Sequence, residues 1–238
     1  MSTASFEVRR DADRGRFTND WLDARFSFSF GAWHDPAWQR FGPLLAINED
    51  RVQPARGFPM HPHADLEILM LPRSGRIEHR DDFGGHAVIA PGELHVMRAG
   101  WGIRHSQMNP SSLEVDHHFQ IWLAPRTSQL TPHVQTLRLT PPGRGAWIVL
   151  ASGLGAGGAA IDVDATVAWG SAGAGDALRL PARAGARRYL HLMSGSLAVQ
   201  GHRLQAGDAL VQRDAAGPLT LEAVTAADVL CFDLPVTP

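Results

Sequence analysis

Apolar and polar positions alternate along much of this chain with a period of two. Phe26-Ser27-Phe28-Ser29-Phe30 puts three rings on one side and two hydroxyls on the other, the pattern of a strand with one buried face. Leu66 to Leu71, His117 to Leu123 and Trp147 to Leu150 read as further apolar strands. No stretch keeps a 3.6-residue period through four helical turns. Short runs bounded by Gly and Pro recur about every 8 to 12 residues, which predicts an all-β sandwich or barrel with little helix.

An internal repeat sharpens this expectation. Ser74-Gly75-Arg76-Ile77, followed by Gly85-His86-Ala87-Val88-Ile89-Ala90-Pro91-Gly92-Glu93-Leu94, is echoed by Ser194-Gly195-Ser196-Leu197 and then Gly201-His202-Arg203-Leu204-Gln205-Ala206-Gly207-Asp208-Ala209-Leu210. Each copy reads as a hairpin closed by a Ser-Gly turn, then a second turn, then a Gly-acid turn that starts the next strand. Two similar barrels in tandem follow. Thr131 to Gly145 carries Pro132, Pro141, Pro142 and two glycines, the composition of a linker. The expected division is residues 1–137 for an N-terminal barrel and 138–238 for a C-terminal one.

The bulk numbers fit this plan and exclude several functions. At 238 residues, 44% hydrophobic and 19% charged, the chain is long enough for two domains. A formal charge of −2 argues against direct nucleic-acid binding or an anionic membrane surface, since both need a basic stripe. Every basic residue is Arg, so neither a Schiff-base lysine nor a P-loop lysine is available. Cys231 stands alone and excludes an intramolecular disulfide. Gly145 to Ile161 is uncharged but short for a bilayer span and rich in glycine. Met1 to Arg10 has no apolar segment ahead of its charges, so no secretory signal is expected and the cytoplasm is the expected compartment.

Candidate chemistry concentrates in the first half. In His61-Pro62-His63 two histidines at i and i+2 on an extended segment point both imidazoles to one side, the minimum geometry for gripping a metal. About forty residues on, Gly102-Ile103-Arg104-His105-Ser106-Gln107 offers a third histidine from what reads as a facing strand. At the matched offsets before Gly195, the positions of His61, His63 and Glu67 carry Pro181, Arg183 and Arg187. A metal is therefore expected in the first barrel alone. Glu67 shares the parity of His61 and His63, which in an unbroken strand would aim it at the same interior as a base, a substitute ligand or an outer partner. The bland alternative is a buried glutamate paired with an arginine such as Arg104. Phe58, Met60, Met70, Met97 and Phe119 either line a pocket for a flat aromatic or are simply core.

Gly57-x3-His61-x-His63-x3-Glu67-x7-Gly75 and Gly85-x5-Pro91-Gly92-x2-His95 approximate the two cupin motifs. Nearly the whole chain resembles the pirin family of bicupins: Phe28-Ser29-Phe30, Asp35-Pro36, Gly57 to Glu67, Pro91 to Gly100, Gly102 to Ser106 with Asn109-Pro110, Gln120-Ile121-Trp122 and Phe232-Asp233-Leu234-Pro235. The resemblance implies two tandem cupin barrels (double-stranded β-helix, jelly-roll) packed together. It also implies one divalent metal, Fe(II) foremost with Ni, Cu, Zn or Mn as alternatives. The implied ligands are His61, His63, His105 and Gln107. Gln107 departs from the family's glutamate, and its neutral amide makes it a weak or absent ligand. His95 fills the histidine slot of the general second cupin motif and is the alternative ligand. His79, His86, His117 and His118 are expected on strand surfaces or in packing.

By the same resemblance, the expected function leans to an enzyme of the quercetin 2,3-dioxygenase type, which opens a flavonol ring with O2 and releases carbon monoxide. The substrate would be a small flavonol-like aromatic. The alternative is a metal- or redox-dependent regulatory protein that binds a protein partner and catalyses nothing. Gln107 weighs against the first, because the flavonol proton needs a base and an amide accepts none at neutral pH; Glu67 is the candidate replacement.

Overall fold

The computed structural model describes residues 6–215 and 217–236, so the Met1–Ser5 part of the signal reading lies outside the described residues. The strands are β1 (Phe6–Arg9), β2 (Gly15–Thr18), β3 (Leu22–Phe26), β4 (Leu44–Val52), β5 (Gly57–His63), β6 (Glu67–Ser74), β7 (Ile77–Asp81), β8 (His86–Ile89), β9 (Glu93–Arg98), β10 (Ile103–Met108), β11 (Asp116–Leu123) and β12 (His133–Arg138). There follow β13 (Ala146–Ser152), β14 (Ala159–Ala160), β15 (Thr166–Ala172), β16 (Ala177–Leu180), β17 (Ala186–Ser194), β18 (Ser196–Val199), β19 (His202–Gln205), β20 (Ala209–Gln212), β21 (Leu219–Ala223) and β22 (Ala227–Pro235). A single 3-10 turn, Asp11–Asp13, is the helical content of the described residues, and none is long and apolar enough to cross a membrane.

The chain forms two compact units, residues 14–140 with 161–163, and residues 141–160 and 164–236 with the N-terminal segment through Asp13. In the first, a seven-stranded sheet runs β12-β9-β6-β11-β4-β3-β2 and a four-stranded sheet β5-β10-β7-β8. In the second, the sheets run β1-β20-β17-β22-β15-β13-β14 and β16-β21-β18-β19. The two orders correspond strand for strand through their central members, which is the repeat in three dimensions. Strand β1, first in the chain and expected in the first barrel, instead pairs with β20, from Phe6 opposite Gln212 to Arg9 opposite Ala209.

Each barrel closes on aliphatic side chains from both of its sheets. Ile68, Met70 and Met97 of the large sheet meet Ile77, Ile89 and Ile103 of the small one, all buried. In the second unit Leu190, Leu192 and Leu210 meet Leu178, Leu197 and Leu221. Alternation explains the division, since one side of each strand goes to this interior and the other faces outward.

Three sequence expectations change here. The Ser-Gly turn does not close a hairpin, because β6 pairs with β9 and β11 while β7 pairs with β8 and β10. It is a corner at which the chain changes sheets. Gly75 (φ 70°) and Gly195 (φ 80°) make that corner, and a Cβ there would lie 2.6 Å from Val115 O and 2.0 Å from Ala226 O. Secondly, the strand read across Phe26 to Phe30 ends at Phe26, and Phe28 is buried beyond it in irregular backbone. Thirdly, the segment read as linker contains β12, which pairs with β9 from His133 opposite Arg98 to Arg138 opposite Glu93.

Candidate metal centre and cavity

Strands β5 and β10 lie side by side in the small sheet of the first barrel, with His61 opposite His105 and His63 opposite Ile103. Inward positions alternate along β10 as Ile103, His105 and Gln107, and along β7 as Ile77, His79 and Asp81. Gly57 allows this close pairing. Its φ is 152°, and a Cβ there would lie 2.3 Å from Gln107 O and 2.6 Å from Met108 Cα.

His61, His63 and His105 converge, with one ring nitrogen of each within 4.8 Å of the others. Their ring centroids are 4.8 Å apart for His61 and His63, 4.5 Å for His61 and His105, and 5.1 Å for His63 and His105. Burial, with the charge of His61 second, pushes the His63 imidazole down to about 4. Burial again, followed by His61, His63, His79 and His95, pushes His105 down to about 2. Both rings are neutral near pH 7, as ligands must be.

Hydrogen bonds fix which nitrogen carries the proton. His61 Nδ1–H donates to Pro59 O at 2.7 Å, leaving Nε2 as a lone pair. Burial opposes the charge of Asp81, but hydrogen bonds from His79 and from the backbone N–H groups of Gly85 and Phe83 hold its pKa below the ordinary value. An ionised carboxylate only accepts, so His79 carries its proton on Nε2, which donates to Asp81 Oδ2 at 3.1 Å. Nδ1 of His79, kept neutral chiefly by burial, is then an acceptor. It receives Nδ1–H of His105 at 3.3 Å. Nε2 of His105 is left as a bare lone pair, buried and without a hydrogen-bond partner among the described residues. A divalent cation suits that orphaned nitrogen and its two neighbours.

Gln107 is occupied otherwise. The indole of Trp122 can only donate, and it donates to Gln120 Oε1 at 2.7 Å. Gln120 Nε2 therefore donates to Gln107 Oε1 at 2.6 Å, and Gln107 Nε2 donates to His118 Nε2 at 2.7 Å. His118 carries its proton on Nδ1, which donates to Asp116 Oδ2 at 2.8 Å. Burial works to lower the pKa of His118, and Asp116, with Asp50 beyond, lifts it above the ordinary value. A second proton would enter on Nε2 and break the bond to Gln107.

His61 and His63 of the triad open onto a cavity of about 200 Å³ whose walls are Leu22, Phe26, Phe30, Phe58 and Trp122. His61, His63, Gln107, Gln120, Asn48 and Asp50 supply its polar edge. Trp122 meets His63 edge to face at 5.0 Å and Phe30 at 5.0 Å. Of the apolar residues singled out from sequence, Phe58 lines the cavity, Met60 is exposed, and Met70, Met97 and Phe119 are core.

Glu67 is placed elsewhere. Asp65 adopts a positive φ of 50° between β5 and β6, so the chain changes sheets and the parity with His61 and His63 is lost. The buried carboxylate accepts from Arg98 Nε at 2.9 Å and from the backbone N–H of Asp162 at 2.9 Å. The partner is Arg98 rather than Arg104. His95 lies outside the triad, with Nδ1 at 2.9 Å from Thr136 Oγ1 and its ring 4.5 Å from that of His79. His86 and His117 pair with Glu78 and Glu49. His79 and His118, by contrast, belong to the site. Their signal was the i, i+2 spacing of His79-x-Asp81 and Asp116-x-His118-x-Gln120-x-Trp122, polar or amphipathic residues recurring on the inward side of a strand.

The family model described as Pirin matches residues 6–123, and the one described as Quercetinase C-terminal cupin domain matches residues 149–234. A protein named quercetin 2,3-dioxygenase from Escherichia coli (strain K12) is 33% identical over 230 residues, covering 96% of this chain and 98% of its own. The crystal structure of the bacterial pirin YhhW from Escherichia coli in complex with nickel(II) superposes with a TM-score of 0.90 at 30% identity, covering 97% of this chain and 99% of that one. A quercetin 2,3-dioxygenase from Acinetobacter baumannii shares the fold, with a TM-score of 0.77 at 19% identity over 97% of this chain and 86% of its own.

Proposed function

The chain belongs to the pirin family, and from that premise we propose that its N-terminal barrel holds one divalent metal on His61, His63 and His105 and opens flavonol rings with O2. The observation that carries the reading is the meeting of three imidazoles, two of which, His61 and His63, border an aromatic-walled cavity. The nickel(II) of the Escherichia coli relative supports a divalent ion, and the name of the 33% identical relative supports the reaction. Iron(II) is the first ion to test. A bound metal supplies Lewis acidity toward the substrate's hydroxyl and redox chemistry toward O2.

The chain's own residues do the rest. Asp81 through His79, and Pro59 O directly, hold the ligand rings in the donor tautomer. Phe26, Phe30, Phe58 and Trp122 flank a flat ring and exclude water from it. Gln107 stays in its hydrogen-bond chain as a neutral neighbour rather than a fourth ligand. In the overall reaction a flavonol and O2 give the ring-opened ester, which keeps both oxygen atoms, and one carbon leaves as CO.

The test is oxygen uptake by protein loaded anaerobically with Fe(II), Ni(II) or Mn(II) and given a panel of flavonols. Equimolar O2 consumption and CO release are expected. No uptake with any metal and flavonol pair overturns the dioxygenase reading.

A further inference from the structure

We propose that Asp50 takes the hydroxyl proton of the substrate and that Asn48 beside it receives a second hydroxyl donor, making this wall of the cavity a subsite for a hydroxylated aromatic ring. The inference rests on the flavonol reading above and supplies the base that Gln107 cannot be. Asn48 and Asp50 are two residues apart on β4 and face inward together, opposite Gln120 and His118 of β11. Both line the cavity that His61 and His63 border.

Elimination leads to Asp50. Among the residues lining the cavity, the aromatic and aliphatic walls, the two glutamines and Asn48 accept no proton at neutral pH. The lone pairs of His61 and His63 belong to the proposed metal. His118 is no substitute, since its Nε2 already accepts from Gln107. The carboxylate of Asp50 is 3.6 Å from that same nitrogen, and the residue is 3% exposed. His118 and Asp116 on β11, Glu49 on its own strand and Arg14 surround it. Burial, the largest influence, raises it to about 6, where a general base works well near neutral pH.

Asn48 is a separate observation that points to a ligand. It is 2% exposed, and its Oδ1 has no hydrogen-bond partner among the described residues. A buried amide oxygen is costly to leave unpaired, and a hydroxyl entering the cavity satisfies it. In the step itself the substrate O–H bond breaks, the proton passes to an Asp50 carboxylate oxygen and the electron pair stays on the substrate oxygen. After ring opening the same proton returns to the carboxylate of the product, so Asp50 ends as it began.

Quercetin is the probe, added anaerobically to the Ni(II)-loaded full chain at pH 7, because an ionised flavonol absorbs at longer wavelength than the neutral one. The native protein should shift the bound flavonol to the red. Asp50→Asn should still bind it, as read by tryptophan quenching, without the red shift, and its aerobic turnover with the active metal should fall by roughly 100-fold or more. Asp50→Glu should recover part of both, and Asp50→Ser repeats the test should the Asn variant misfold. Asn48→Leu should weaken quercetin binding by about tenfold. A red shift and oxygen uptake undiminished in Asp50→Asn overturn the assignment and leave the dioxygenase reading standing. A native protein that neither shifts quercetin nor consumes O2 with any metal overturns both.

Discussion

His105 donates its Nδ1–H to His79 Nδ1 across 3.3 Å, and His79 donates its Nε2–H to Asp81 Oδ2 across 3.1 Å. The direction of this relay is set at its far end, so a change of one atom at Asp81 reaches the metal position. In Asp81→Asn the single remaining oxygen is claimed by the backbone N–H groups of Phe83 and Gly85, and the new amide nitrogen faces His79. Nε2 of His79 must then accept, its proton moves to Nδ1, and His105 is forced to protonate Nε2, the atom meant for the metal. Chelator competition should show Fe(II) or Ni(II) affinity falling by roughly 10- to 100-fold. Equal affinity would mean that the relay does not set the tautomer.

Gln107→Glu tests the adjoining chain from the other side. A carboxylate still accepts from Gln120 but has no hydrogen to give His118, so His118 must protonate on Nε2 and donate, as Asp116 and Asp50 already favour. The substitution brings a negative charge to the rim of the triad, where attraction to a cation is strong because the surroundings are partly desolvated. Fe(II) should bind at least about tenfold more tightly in the same competition titration. A flat response would place the side chain of residue 107 out of reach of the metal.

The second barrel is expected to bind no metal. In its matching strand pair, Leu178 faces Leu221 and Leu180 faces Leu219, all buried, where the first barrel pairs His61 with His105. Aliphatic contact replaces coordination there. Elemental analysis of the loaded protein should give close to one equivalent per chain, and two equivalents would contradict the assignment.

Much of this was legible in the sequence. Period-two alternation, the repeated Ser-Gly and Gly-acid turns and the His-x-His spacing lead to two all-β barrels and to a histidine cluster in the first. What misled was local geometry that pattern cannot carry. The parity argument for Glu67 assumed an unbroken strand, and the positive φ of Asp65 breaks it. The Ser-Gly turns read as hairpins because a corner between sheets and a turn within one need the same glycine. His79, His118, Asp50 and Asn48 were hidden for another reason: whether an inward polar residue serves a site or merely packs depends on which strands face it across the barrel.

Asp50 carries a cost to stability that a pH series exposes. Its carboxyl is raised by burial from the ordinary 3.8 to about 6, so the folded state disfavours the charged form. For a group raised on folding, the favourable contribution is complete below the unfolded value near 4 and is lost as pH climbs through 6. At pH 7.5 the ionised Asp50 therefore lowers stability relative to a neutral isostere, by roughly 3 kcal/mol for a difference of this size. Asp50→Asn keeps the shape and never ionises. Denaturant unfolding of metal-free protein at pH 4.5 and 7.5 should show the variant gaining on the native chain by about 2 kcal/mol between the two, since carboxylates remote from Asp50 titrate alike in both proteins. A residue that weakens the fold at working pH, yet lines the cavity beside the histidine triad, has the profile of a group kept for chemistry. A gap that is independent of pH would show instead that burial does not raise Asp50, and one that narrows toward pH 7.5 that Asp50 is stabilised as an anion by His118 and is part of the scaffold.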